Sequence, residues 1–405
     1  MTPVVQSITF ADVQAAADTL RGFVVATPTV AARTLSEIVG ADLRVKYENQ
    51  QFTGSFKERG ARNFLDHLDA DTRARGVVAA SAGNHAQGVA YHARLLGVAA
   101  TIVMPADTPF TKVANTAHHG ASIVLEGDGY PAAFAHAQGI AEQTGARLVP
   151  AFDDPLIIAG QGTVGLELLA DSPGLDAIVV PVGGGGLIAG IAVVVKHLAP
   201  AVRVIGVQVE GYPGMLHALG RAPAPTGGAT VAEGIAVADP GLLTRAIVGA
   251  LVDDIVTVSE ESIEAAIALF IEIEKSVVEG AGAAALAAVL EHPEPFRGRA
   301  VALIASGGNI DARVLTSVLS RALARSGRLI RIHIEVPDRP GALAAIAAVI
   351  ARNRGNIVDV EHRRDLPGVA LKNARLELSI ETRDRMHADE IVNALAAAGF
   401  PVDVA

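Results

Sequence analysis

Lys57 is the residue from which the chemistry of this chain is read. It lies in Gln51 Phe52 Thr53 Gly54 Ser55 Phe56 Lys57 Glu58 Arg59 Gly60, a lone amine between small and aromatic residues ahead of a helix. Burial or neighbouring cations would turn it into a Schiff-base nucleophile, whereas a single exposed lysine on a helix is the commoner arrangement. A second segment, Ala79 Ala80 Ser81 Ala82 Gly83 Asn84 His85 Ala86 Gln87 Gly88, follows an apolar run and opens a helix. Such a turn offers backbone N–H groups to a carboxylate, and the Asn84 amide can bond a phenolic or carbonyl oxygen; a plain strand-to-helix turn is the alternative. The third, Pro181 Val182 Gly183 Gly184 Gly185 Gly186 Leu187, again stands between an apolar strand and an apolar helix. Four glycines let the backbone wrap a phosphate and aim successive N–H groups at it, with the helix dipole adding to the attraction. Close helix–strand packing would also ask for small residues there. The terminal Gly-Lys-Ser/Thr of a Walker loop is absent and the dinucleotide pattern matches poorly, which favours a phosphate ester over a nucleotide. The fourth segment, Ala305 Ser306 Gly307 Gly308 Asn309, is weak alone. Together the four supply a lysine, a hydroxyl, an amide and a phosphate cradle, the set that an aldehyde cofactor with a phosphate handle requires.

The elements that must position these groups are strands and helices in alternation. From about residue 20 to 320, short apolar runs alternate with Ala-rich helical stretches, which predicts an α/β fold with mostly parallel sheets. Buried strands are expected at Gly76 to Ala80, Ala100 to Met104, Ser122 to Leu125, Ala177 to Val182, Val202 to Val209 and Ala300 to Ile304. Three of the four segments directly follow such runs, and ligands of these sheets sit at the carboxyl ends of strands. After Ser326 the pattern changes. Ile330 to Val336 alternates, Ala342 to Arg352 reads as a helix, Ile357 to Glu361 and Leu371 to Ile380 as strands, Met386 to Ala398 as a helix and Pro401 to Val404 as a last strand. That order is a ferredoxin-like βαββαβ unit. The expected division is 1–325 for a catalytic part, with a smaller lobe at roughly 51–150, and 328–405 for the second unit.

Composition narrows the partners. With 405 residues the chain has room for at least two units, and half of it is hydrophobic. A net charge of -10 and the lack of a basic stripe argue against nucleic acid. The chain has no cysteine, which removes disulfides, thiolate nucleophiles and thiolate-bound zinc. Its twelve histidines include His118 and His119 but no HExxH pattern, and no metal site is assigned. Met1 to Asp12 shows no secretory signal, so a cytoplasmic location is expected. The uncharged run Ala177 to Val195 contains Pro181 and four successive glycines, which fits a strand, a turn and a helix better than a membrane span.

The four motifs, in this order over roughly residues 10–320, resemble those of the threonine dehydratases (threonine ammonia-lyases), fold-type II pyridoxal-phosphate (PLP) enzymes of the tryptophan synthase β group. The resemblance implies a two-lobed catalytic part that eliminates water and ammonia from L-threonine, giving 2-oxobutanoate, and also acts on L-serine. It implies that Lys57 holds PLP covalently and is the catalytic base. Asn84 would meet the cofactor's 3-oxygen, Gly183, Gly184, Gly185, Gly186 and Leu187 its phosphate, and Ser306 its pyridine nitrogen. Ser81, Asn84 and His85 would hold the substrate carboxylate, and Glu279 would lie near the ring. A neutral hydroxyl at Ser306 does not stabilise a protonated pyridine as a carboxylate would, which favours prompt β-elimination over transamination. The rival activity is that of a serine-preferring ammonia-lyase or racemase. Serine racemases of the group carry a second serine where this chain has Ala82, and use a divalent cation for which only Glu210 is present here. A β-replacement synthase and a non-catalytic amino-acid sensor are the further alternatives.

The C-terminal unit, with Val336 Pro337 Asp338 Arg339 Pro340 Gly341 Ala342 Leu343, resembles an ACT regulatory domain. The resemblance implies that Asp338, Arg339, Pro340, Gly341, Ala342 and Leu343 bind an amino-acid effector such as isoleucine, with a purely oligomerising module as the alternative. It also implies a homo-tetramer, and symmetric assemblies are the norm for such enzymes.

Overall fold

The computed structural model describes residues 8–404. Of the segment Met1 to Asp12, residues 1–7 lie outside the described residues. The chain divides into two compact units, Met1–Asp311 and Ala312–Ala405. The helix Ala312–Arg325, counted with the catalytic part in the sequence reading, groups with the second unit.

The first unit contains two sheets. The strands are β1 (Thr29–Ala31), β2 (Asp42–Lys46), β3 (Val77–Ala80), β4 (Ala100–Met104), β5 (Ser122–Leu125), β6 (Arg147–Leu148), β7 (Ala177–Pro181), β8 (Arg203–Val209), β9 (Asp254–Val258) and β10 (Ala300–Ile304). One sheet has the order β1-β2-β10-β7-β8-β9, parallel except for β1, and the other, β5-β4-β3-β6, is parallel throughout. Each of the six strands expected in this part is present, but β5 is not buried as expected: it stands at the edge of its sheet with Ser122 and Leu125 exposed. β3 starts one residue late because Gly76 has φ +83°, outside the range of an extended strand. β1, β2, β6 and β9 were not foreseen: β1 and β6 are only three and two residues long, and in β2 Asp42 Leu43 Arg44 Val45 Lys46 is rich in charge, with Lys46 buried only because Thr27 O and Glu167 Oε2 accept from its ammonium at 2.6 and 2.7 Å.

Between the lysine and the glycine loop lies one long helix, Pro155–Asp171. It starts sharply, with Pro155 in its first turn and the Asp154 carboxylate accepting from Leu156 N at 2.8 Å. On one side it meets the helix Lys57–Asp66, where a Cβ on Gly160 would stand 2.7 Å from Gly60 Cα. On the other it meets the helix Gly186–Leu198, where a Cβ on Gly190 would stand 2.5 Å from Gly162 N. Glycine at these crossings brings the backbones into direct contact, so the lysine and the glycine loop are set by a single intermediary. Arg59, two residues beyond Lys57 and fully buried, fixes the first helix further. Its guanidinium donates to Glu48 at 2.7 and 2.8 Å and to Glu167 at 2.6 and 2.8 Å, a bidentate pair on each side.

The second unit has the expected βαββαβ order. β11 (Leu329–Pro337), β12 (Asn356–Arg363), β13 (Asn373–Glu381) and β14 (Val402–Val404) form one antiparallel sheet in the order β12-β13-β11-β14. The helices Ala342–Arg352 and Arg385–Ala397 contribute Ile346, Val349, Ile350, Ile391 and Leu395 to a core with Ile332, Ile334, Leu376 and Leu378. Leu371, expected to begin a strand, lies ahead of β13 and is fully exposed. The run Ala177 to Val195 is β7, a glycine turn and part of a helix, and no helix among the described residues is long and apolar enough to cross a membrane.

Candidate active site

Lys57 opens its helix, and its Nζ donates to Ala151 O at 2.8 Å. Burial pulls its pKa from 10.5 down to about 8, against the opposing charge of Glu279. A far larger share of the amine is then unprotonated near neutrality than at 10.5, and the unprotonated amine is the form that attacks an aldehyde.

His85 stands in the first turn of the helix Asn84–Leu95, beyond the carboxyl end of β3. Its Nε2 lies 3.1 Å from Val149 O, so Nε2 carries the proton and donates. Burial and the charge of Lys57 push its pKa down to about 3, which keeps the imidazole neutral. Asn84 Nδ2 donates to Glu279 Oε1 at 2.7 Å, and Asn84 Oδ1 accepts from Asn309 Nδ2 at 2.7 Å. Asn309 also donates to Thr53 O at 2.7 Å, and Glu279 N donates to Gly307 O at 3.0 Å. A Cβ on Gly307 would lie 2.5 Å from Glu279 Oε1. The second motif, the fourth motif and Glu279 are thus one network. Burial raises the Glu279 pKa to about 7, partly offset by the Asn84 bond. The segment before Lys57 is tied to the fourth motif too: Phe56 N donates to Ser306 O at 3.1 Å, and Gly308 N to Gly54 O at 2.9 Å. Ser81 Oγ accepts from Gly83 N at 3.2 Å, closing the turn.

The glycine loop follows β7. Gly185 has φ +92°, and the helix begins at Gly186. A Cβ on Gly184 would stand 2.3 Å from the Phe152 ring, so the loop is pressed against residue 152. The packing reason for glycine therefore holds here, and the anion-binding reason holds beside it. Among the described residues, no protein acceptor takes the N–H of Gly183, Gly184, Gly185, Gly186 or Leu187, and all but Gly183 are buried residues. Buried N–H groups are rarely left unpaired, and a row of them at a helix start suits a phosphate dianion. The donor set fits PLP: an amine of lowered pKa for the aldehyde, free amides for the phosphate, an amide side chain for the 3-oxygen and a buried hydroxyl at Ser306.

The sequence reading missed the segment Ala151 to Asp154, whose carbonyl meets Lys57 and whose ring meets the glycine loop. Asp154 ahead of Pro155 was a legible helix start; the rest had no local signal. It also missed Lys112 on the helix Phe110–His118, paired with Glu233, whose charges both act on Glu279. In the second unit, the loop Asp338 to Leu343 lines a surface cavity of about 590 Å³ together with His362 and Arg364, which the sequence reading had left out. Those two alternate on β12 and its continuation, and Arg364 Nε donates to Asp338 Oδ2 at 2.9 Å. Among the described residues no group of three or more His, Cys, Asp or Glu side chains could hold a metal ion.

A parallel α/β scaffold with a lysine of lowered pKa and a free amide cradle at strand ends defines an enzyme that works through an aldehyde-bearing phosphate cofactor. The chain belongs to the pyridoxal-phosphate dependent enzyme family, whose profile matches residues 20–307, and residues 330–400 match the ACT domain. It is similar to the L-threonine ammonia-lyase of Thermotoga maritima, 46% identical over 399 residues, 98% of this chain and 99% of that protein. Among solved structures, threonine deaminase isoform 2 of Solanum lycopersicum has a TM-score of 0.72 at 36% identity, covering 77% of this chain and 86% of that one. Maize serine racemase has a TM-score of 0.73 at 33% identity, covering 79% and 99%.

Proposed function

We propose that this chain is a threonine ammonia-lyase: it dehydrates and deaminates L-threonine to 2-oxobutanoate and ammonia, also takes L-serine to pyruvate, and is regulated by an amino acid. The observation that carries the chemistry is the lysine of lowered pKa together with the free amides of Gly183 to Leu187. Threonine as substrate is supported by the near full-length likeness to the Thermotoga maritima enzyme.

Lys57 holds PLP, Gly183 to Leu187 its phosphate, Asn84 its 3-oxygen, and Ser306 lies at the pyridine nitrogen. Bound there, PLP supplies the electron sink for the pair left when the substrate's Cα–H bond breaks. The backbone around Ser81, Asn84 and His85 holds the substrate carboxylate; the His85 imidazole is neutral and its one proton is committed to Val149, so His85 contributes its main-chain N–H and not its ring. Lys57 Nζ, as a free amine of lowered pKa beside the bound substrate, would remove the Cα proton. The β-hydroxyl leaves with a proton, and the resulting enamine tautomerises and hydrolyses to the 2-oxo acid and ammonia. Ala82 puts a methyl where a base on the opposite face would stand, so a proton returned to Cα from that side has no donor. Elimination is favoured over racemisation for this reason.

In the second unit, Asp338, Arg339, Pro340, Gly341, Ala342 and Leu343 hold the effector, with isoleucine the first choice. Asp338 and Arg364 offer one charge of each sign, suited to the two ends of a zwitterion. A homo-tetramer, which rests on resemblance, and a cytoplasmic location, which rests on the lack of a secretory signal in Met1 to Asp12, complete the reading.

The test is release of 2-oxobutanoate from L-threonine by the purified chain with PLP, with and without isoleucine, beside L-serine and D-serine. Oxo acid in both arms supports the lyase, and suppression by isoleucine supports the sensor. D-serine formed from L-serine faster than any oxo acid would replace the lyase by a racemase.

A further inference from the structure

Thr244 is a fully buried hydroxyl on the helix Leu242–Leu251, far in sequence from every motif above. Its Oγ1 lies 2.7 Å from Gly184 O and 3.2 Å from Gly241 O. A hydroxyl has one proton to donate, and the shorter contact takes it to the glycine loop. The helix that carries Thr244 is itself capped from a distance. Asp153 accepts from the N–H groups of Leu242, Leu243 and Thr244, each at 3.0 Å. The residue in the N-cap position is Gly241, where any Cβ would stand 2.1 Å from the Asp153 carboxylate. Asp153 thus replaces the local cap, and glycine at 241 makes room for it. Its neighbours in sequence are Phe152, against Gly184, and Ala151, whose carbonyl meets Lys57.

We propose that Thr244, anchored by Asp153, is a positioning residue for the cofactor phosphate: by holding the Gly184 carbonyl it turns the next peptide's N–H into the cradle. The inference rests on the PLP reading given above. In a trans peptide the C=O and the following N–H point in opposite directions, and no described peptide bond is cis. Holding Gly184 O to Thr244 therefore aims Gly185 N–H away from that hydroxyl, in a loop whose other N–H groups, those of Gly183, Gly184, Gly186 and Leu187, are also without a protein acceptor. Glycine at 185, with φ +92°, has a soft backbone that would otherwise permit this peptide to flip. Thr244 removes that freedom before the phosphate arrives, which is how preorganisation raises affinity.

The experiment compares Thr244→Val, which keeps shape and loses the hydroxyl, with Thr244→Ser, which keeps the hydroxyl. The full chain is stripped of cofactor, and binding of PLP and of pyridoxal, its phosphate-free form, is measured by visible absorbance and borohydride trapping on Lys57. Thr244→Val is expected to weaken PLP about tenfold, the order of one buried hydrogen bond, and to leave pyridoxal unchanged; Thr244→Ser stays within about twofold of the parent. Asp153→Asn, which leaves Thr244 in place but loosens its helix, is expected to fall between them. Equal PLP binding by the Val and Ser variants, or an equal loss for PLP and pyridoxal, overturns the proposal. Failure of the parent itself to trap PLP on Lys57 overturns the cofactor reading instead, and the two failures are told apart by the parent alone.

Discussion

Burial shifts the proton affinities of Lys57 and Glu279 away from charge, and the two groups act on each other against it. Burial lowers the amine to about 8 and raises the carboxyl to about 7, and each group's charge favours the ionised form of the other. In cofactor-free protein, the rate at which Lys57 captures an aldehyde is therefore expected to rise with pH through about 8 rather than 10.5. Glu279→Gln removes a negative charge that helps keep the proton on Lys57, so the midpoint should fall below that of the parent. A pH profile of borohydride-trapped PLP checks both statements; a midpoint unchanged or raised in the variant would contradict the coupling. For stability the signs are opposite. Lys57, with its pKa lowered on folding, costs least when deprotonated, so its penalty eases as pH climbs from about 8 toward 10.5. Glu279, with its pKa raised, costs least when protonated, so its penalty grows as pH climbs from 4.5 toward 7.

At the scale of elements, the helix Lys57–Asp66 is held by apolar packing of Ala61, Phe64 and Leu65 and also by the charged cluster around Arg59. Arg59 and Glu48 are both wholly buried, and although burial pushes the Glu48 carboxyl up, Arg59 holds it below its usual value. Arg59→Met strands that carboxylate and is expected to cost about 3–5 kcal/mol in urea unfolding, with part recovered by adding Glu48→Gln. A loss below about 1 kcal/mol, the range of an exposed pair, would show that water reaches Glu48 in the variant. The same cluster explains what the sequence concealed. Apolar strands such as Ala177 to Pro181 announce themselves, but Asp42 to Lys46 becomes a strand only because partners more than a hundred residues away neutralise its lysine. The glycine loop and the lysine motif are local and were legible. The reach of Asp153 to Thr244 spans 91 positions and leaves no pattern in either segment.

For the whole molecule, two compact units with separate cores invite a separation of catalysis from sensing. The βαββαβ order of the second unit was legible because its strands alternate strictly: in β11, Ile330, Ile332, Ile334 and Val336 are all buried, and the residues between them are more exposed. His362 and Arg364 were not, since a polar residue on an edge strand reads as solvated until the fold places it beside a loop. An effector bound at Asp338 to Leu343 stabilises that unit by mass action, by about 2.7 kcal/mol at a hundredfold excess over Kd. Calorimetry with isoleucine should then raise the unfolding transition of the second unit, and Arg364→Ala should abolish the rise. A transition that isoleucine leaves in place in the parent would point to another effector.

The pairing of β2 with β10 also dictates when the enzyme can come into being. Asp42 lies against Ala300, and the segment before Lys57 donates from Asn49 N and Phe56 N to the carbonyls of Ala305 and Ser306. At about 5–20 residues per second, the ribosome needs on the order of ten to fifty seconds to make the chain between these partners. Through that interval β2 waits with an open edge, and Lys46 and Glu48, both destined for the interior, remain in water. A chain arrested on the ribosome short of Ala300 is expected to be cut by protease around residues 42–57 and to trap no cofactor, however long it is held. The lysine that begins the chemistry is translated well before the strand and loop that complete its surroundings.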